Sequence, residues 1–167
     1  MASAETSIKT PLRLHETEVK PEWVDYNGHM SEAFYVLVFG HTTDALLDYV
    51  GMNADYRERS QCSLYTLEAH ISYLREVREA EPLRITTQLL DVDHKRAHVF
   101  HWMYHAGDGG LLATGELMLL HVDNTEPTGP RSAPFPEEVS ARLQEIEAAH
   151  DSLPRPEQAG RSIGIKS

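Results

Sequence analysis

The chain has 167 residues, 41% of them apolar and 25% charged, which is an ordinary globular mix for one domain with a real core. A formal charge of −11 argues against a general nucleic-acid or anionic-membrane binder, because both need broad basic surfaces, though a local basic patch for a polyanionic ligand stays open. One cysteine, Cys62, rules out a disulfide framework within the chain and argues against a zinc–thiolate site; with no signal-peptide core and no long apolar run, a soluble cytoplasmic protein is expected.

A weak strand is expected over Leu12 to Val19. The segment Trp23-Val24-Asp25-Tyr26-Asn27-Gly28-His29-Met30 follows, with a carboxylate, an amide and an imidazole at alternate positions. Ser31 to Val50 has apolar residues at helical spacing and further apolar residues around the wheel. It therefore reads as a long helix buried on most sides, with Gly51 ending it. From Ser63 the period becomes two. One face of Ser63 to Val77 carries Tyr65, Leu67, Ala69, Ile71 and Tyr73; the other carries Glu68, His70 and Glu76. Further strands are expected over Leu83 to Asp91, Ala97 to His105 and Leu111 to Val122, with a hairpin turn at 106–110. Short connections suggest an antiparallel meander. Phe135 to His150 reads as a closing helix, and residues 151–167 as a flexible tail after a single domain over 1–150. The class is α+β.

A carboxylate just before a helix can do acid/base or nucleophilic chemistry while nearby N–H groups hold an oxyanion. By itself such an aspartate is most often a helix cap. The order strand, long helix, four strands, short helix resembles the hotdog fold, an antiparallel curved sheet wrapped around a long central helix. Asp25-Tyr26-Asn27-Gly28-His29-Met30 resembles the hotdog acyl thioesterases in particular. The 4-hydroxybenzoyl-CoA-type enzymes place Asp and Gly at the spacing of Asp25 and Gly28; the acyl-ACP enzymes carry Asp-x-Asn-x-His, matched by Asp25, Asn27 and His29. The likeness continues in Tyr73-Leu74-Arg75-Glu76-Val77, Leu112-Ala113-Thr114-Gly115 and His121-Val122-Asp123. Trp23 to Met30, together with Tyr65 to Ile71, resembles the betainyl-CoA thioesterases of carnitine degradation.

The resemblance implies acyl-CoA thioester hydrolysis. Asp25 would attack the carbonyl or activate water, and the N–H of Gly28 or His29 would polarise the carbonyl oxygen. Asn27 and His29 would orient or stabilise the reacting groups. Glu76 matches a functional glutamate of the acyl-ACP enzymes, but strand alternation places it opposite Tyr73, as a solvated residue. Arg75, Lys95 and Arg96 are candidates for the CoA phosphates. Trp23, Tyr26, Tyr35, Tyr65 and Trp102 could supply aromatic faces to a trimethylammonium acyl group. No metal or redox cofactor is implied; CoA is part of the substrate. Open sheet edges and the fold type imply a homodimer or homotetramer. The alternatives are a hydroxyacyl-thioester dehydratase on the same fold, or a non-catalytic acyl-CoA-binding module.

Overall fold

The computed structural model describes residues 7–165. Strand β1 (Leu12–Glu18) leads through a short 3₁₀ turn (Pro21–Trp23) to helix α1 (Glu32–Tyr49). Helix α2 (Ala54–Ser60) follows, then β2 (Cys62–Tyr73), β3 (Pro82–Val92), β4 (Arg96–His105) and β5 (Leu111–Asp123). The two-residue β6 (Arg131–Ser132) pairs with β5, and α3 (Glu137–His150) closes the chain. Helix α2 was not anticipated. Its signal lies in Asn53, whose side chain accepts the N–H of Tyr56 as an N-cap.

The antiparallel sheet runs β1-β3-β4-β5-β2. Only β3, β4 and β5 form a meander. The connection at 74–81 carries the chain from β2, beside β5, across to β3, so the simple four-strand meander expected from loop length is wrong. A short connection limits the distance between strand ends but does not say on which side of the sheet the next strand joins. The expected strand over Ser63 to Val77 also ends early, at Tyr73. Its alternation is broken by a bulge at Leu67, between the pairs Thr66↔Leu119 and Glu68↔Met118. Hence Leu64 and Ile71, seven residues apart, both pack against the core clusters.

Helix α1 lies against the inner face of the sheet. Tyr35, Val38, Phe39, Thr42, Thr43, Leu46 and Leu47 form its buried stripe at the 3.6-residue period. The opposite face is open: Val36 and Leu37 are 45% and 40% exposed. The expectation of a helix buried on most sides is therefore corrected for the single chain, because one sheet curls round only one side of it. Gly115 on β5 lets the helix come close. A Cβ there would sit 3.0 Å from the Phe39 ring. Beyond the end of β1, α3 covers the free edge of β3. His150 Nδ1 accepts the N–H of Leu89 (3.0 Å) and Glu147 accepts that of Val92 (3.1 Å), so these strand donors are satisfied without a neighbouring strand. Residues 151–165, read from composition as a flexible tail, lie against the sheet as far as Gly160. Pro156 is buried, and the Gly160 N–H donates to the Glu116 carboxylate (2.9 Å).

Candidate active site

The segment 25–29 is a closed turn in front of α1. Val24 and Met30 form a bridge, the Asp25 N–H donates to the His29 carbonyl (3.1 Å), and the Ser31 N–H donates to the Trp23 carbonyl (2.9 Å). Gly28 closes the turn with φ +79°, a conformation that side chains with a Cβ disfavour, and its N–H donates to the Asp25 carbonyl (2.9 Å). That N–H is thus engaged in the turn, so of the two donors expected to polarise a carbonyl, Gly28 and His29, only His29 is left unengaged. Among the described residues, none accepts the N–H of His29.

Asp25 is partly buried, and one carboxylate oxygen accepts the backbone N–H of Asn27 (2.8 Å). Neither Asp25 nor Asn27 caps α1. The N-cap is Ser31, whose side chain makes no capping bond. The Phe34 N–H donates to the Ser31 carbonyl (3.0 Å), while among the described residues none accepts the N–H groups of Glu32 and Ala33, which leaves the positive end of the helix dipole available there. The bland reading of Asp25 as a cap is excluded by position.

Beside this turn lies a cleft of about 280 Å³, lined by Met30, Glu32, Tyr35, Tyr73, Leu74, Arg75 and Glu76. Two links fix it to the turn: the Met30 N–H donates to the Val77 carbonyl (2.8 Å), and His29 Nε2 sits 3.2 Å from a Glu76 oxygen. Glu76 reaches the turn because β2 stops at Tyr73, so strand alternation no longer governs it. This corrects its place on a strand face opposite Tyr73, but Glu76 is still solvated, with its side chain 75% exposed. Tyr73, which the sequence places on one strand face and in the 73–77 likeness without a role, lines the cleft. Its ring stands edge-on to Tyr35, with centroids 5.3 Å apart and planes at 88°. The Tyr35 hydroxyl donates to the Arg75 carbonyl (3.3 Å), and that of Tyr73 to the Glu32 carbonyl (3.2 Å). Burial first, then the Glu76 carboxylate and Tyr73, push the Tyr35 phenol up to about 12. Burial, then Glu32, raises that of Tyr73.

The other expected residues separate. Trp23 is 5% exposed and stacked on Phe34, with Lys20 over its ring, so it is a core residue beneath the turn rather than an open aromatic wall. Tyr26 projects from the turn at 96% exposure. Tyr65 lies on the edge strand, bonded to Asn124, and Trp102 packs on Phe100 in β4. Of the five proposed aromatics only Tyr35 lines the cleft. Arg75 lines it too, but its guanidinium is held by Asp108 through two hydrogen bonds, which drop the Asp108 carboxyl to about 2. Lys95 and Arg96 lie past the far end of β3, roughly 34 Å along the strand from the turn. There Arg96 pairs with Asp93 and Lys95 donates to Ser132. They are not neighbours of Asp25 within one chain. Glu68 and His70 line a separate depression with His98 and Glu116 and do not reach the cleft.

A curled antiparallel sheet packed along one long helix, with the Asp25 turn and cleft at the helix N-terminus, is the hotdog arrangement. Residues 19–143 match the thioesterase-like superfamily, and the chain belongs to that family. A betainyl-CoA thioesterase from Pseudomonas aeruginosa is 50% identical over 154 residues, covering 92% of this chain and 95% of that protein. An L-carnitine dehydrogenase/betainyl-CoA thioesterase from Rhizobium meliloti is 45% identical over 93% of this chain, which spans only 31% of that longer protein. A putative thioesterase structure from Pseudomonas putida superposes with a TM-score of 0.80 at 41% identity, covering 94% of this chain and 98% of that one. A Staphylococcus aureus protein solved in complex with CoA gives 0.85 at 29%, covering 96% and 100%. The enzyme is an acyl-CoA thioesterase. Among the described residues no helix is long and apolar enough to cross a membrane.

Proposed function

We propose that the enzyme cleaves betainyl-CoA to betaine and CoA, with Asp25 acting on the thioester carbonyl as nucleophile or as the base that activates water. The 50% identity to a betainyl-CoA thioesterase over nearly the whole of both chains carries the substrate reading. The Asp25 turn supports the chemical role. It holds a carboxylate in place through the Asn27 N–H, beside the uncapped end of α1. The N–H of His29 and the helix N-terminus are the donors for the developing oxyanion. Asn27 acts through its backbone, and His29 acts by joining the turn to Glu76. As nucleophile, Asp25 displaces the CoA thiolate to give a mixed anhydride that water then hydrolyses to betaine; as base, it takes a proton from the water that attacks the carbonyl. In both the C–S bond breaks and the thiolate gains the proton that water gives up.

The exposed apolar face of α1 and the free edge of β2 support a homodimer, in which a second copy covers Val36 and Leu37. In such an assembly Lys95 and Arg96 of the other subunit could approach a cleft that their own chain leaves distant. Cytoplasmic location is part of the same reading; one cysteine and a CoA substrate agree with it. A thiol-release assay over betainyl-, aromatic and medium-chain acyl-CoAs tests the function. Betainyl-CoA is expected to lead the panel. No thiol release from any of them refutes the reading, and a preference for long or aromatic chains refutes the substrate.

A further inference from the structure

We propose that Tyr35, Tyr73, Glu32 and Glu76 form the subsite for the cationic, trimethylammonium end of the acyl group. This rests on the betainyl-CoA reading and adds to it the residues that recognise the charge.

In a betainyl thioester one methylene separates the quaternary nitrogen from the carbonyl. The cation site must therefore adjoin the Asp25 turn, and the cleft does: Met30 ends the turn and lines the cleft, and Glu76 pairs with His29. A quaternary ammonium has no N–H to donate, so hydrogen bonds cannot select it. It is selected by π faces and by nearby negative charge. The perpendicular Tyr35 and Tyr73 rings make an apolar corner, and their hydroxyls are turned onto the Arg75 and Glu32 carbonyls. Two carboxylates, Glu32 and Glu76, share the lining. Both carboxylates are exposed, so they line the mouth of the cleft beside the two rings. The one cation in the lining, Arg75, is neutralised by Asp108. At about 280 Å³ the space lies near the lower bound of small-molecule sites, roughly 300 Å³, which suits a short, compact acyl group. The aromatics first expected near the turn, Trp23 and Tyr26, do not build such a corner. One is buried under the turn and the other points into solvent.

The test uses the full chain and two substrates of nearly the same shape, betainyl-CoA and its neutral carbon isostere 3,3-dimethylbutyryl-CoA. The readout is the ratio of their kcat/KM values. The wild type is expected to favour the cation more than tenfold. Tyr73→Leu is expected to lower that ratio about five- to thirtyfold, the range of a cation–π contact between partly exposed and desolvated. Glu76→Gln is expected to lower it about fivefold, and Tyr73→Phe, which keeps the ring, should retain most of it. Competitive inhibition of thiol release by glycine betaine, compared with that by 3,3-dimethylbutyrate, gives the same comparison with unreacted ligands in the wild type and Glu76→Gln, should Tyr73→Leu fold poorly. A wild type indifferent to the charge overturns the subsite, as do variants that slow both substrates equally; hydrolysis of both then leaves the thioesterase reading standing. No thiol release from either substrate overturns both.

Discussion

His101 makes the fold sensitive to acid in a way that can be worked out from its surroundings. It is wholly buried on β4. Its ring lies parallel to Phe39 of α1, with centroids 5.9 Å apart, and its two nitrogens meet Thr87 Oγ1 (2.8 Å) and Thr43 Oγ1 (3.2 Å). Among the described residues no carboxylate stands beside it, so burial alone drops its pKa from 6.5 to about 3. The folded chain thus holds a neutral ring over a range in which the unfolded chain binds a proton. The stability this provides is complete above pH 6.5 and is lost as pH falls from there toward 3. From pH 7 to pH 5 the linkage amounts to about 2 kcal/mol, with a limiting slope of about 1.4 kcal/mol per pH unit. His15 and His150, whose pKa values burial also lowers, act in the same direction, so a comparison is needed. Urea unfolding at pH 7 and pH 5, at fixed protein concentration, should show the wild type losing about 2 kcal/mol more than His101→Gln. The difference between the two pH values is the readout, whatever the variant's own stability. Equal acid losses in both proteins would refute the argument. Because His101 stacks on Phe39, one turn along α1 from Tyr35, loosening it should also disturb the cleft.

Asp25→Asn should reduce thiol release about 10²- to 10⁴-fold with CD and melting temperature unchanged, and full turnover by this variant rejects Asp25 as the catalyst. Gly115→Ala drives a methyl into the Phe39 ring and should cost about 1–3 kcal/mol in denaturant unfolding; a neutral result would mean that α1 shifts freely on the sheet. Leu37→Asp should turn the proposed dimer into monomers in sedimentation experiments, whereas an unchanged mass would show that this helix face is not the contact. Trp23→Leu should lower stability by about 1–3 kcal/mol and slow betainyl-CoA and its neutral isostere alike, since the ring packs under the turn. Selective loss of betainyl-CoA turnover would restore Trp23 to the binding site.

Much of the fold is written in local periodicity. Helix α1, the alternation of Leu83, Ile85, Thr87 and Leu89, and the β4–β5 hairpin all follow from it, because each element's buried face is set by residues a few positions apart. The turn around Asp25 was equally legible, since a carboxylate, an amide and a glycine in sequence form a turn by short-range hydrogen bonds. The rest required the closed tertiary structure. The bulge at Leu67 adds one residue and moves everything after it to the other face, with nothing in the local pattern to mark it. The side of the sheet that β2 joins, the open face of α1 and the separation of Lys95 and Arg96 from the turn all depend on pairings between distant residues. So does the chemistry of the cleft. Sequence by itself determined the fold type and where the Asp25 turn falls, because the order of elements and the turn are both set by residues close together in the chain. Only tertiary structure decided that Glu76 meets His29 and that Tyr73 stands against Tyr35, because those contacts join segments more than thirty-five residues apart and exist only once the sheet has closed on the helix.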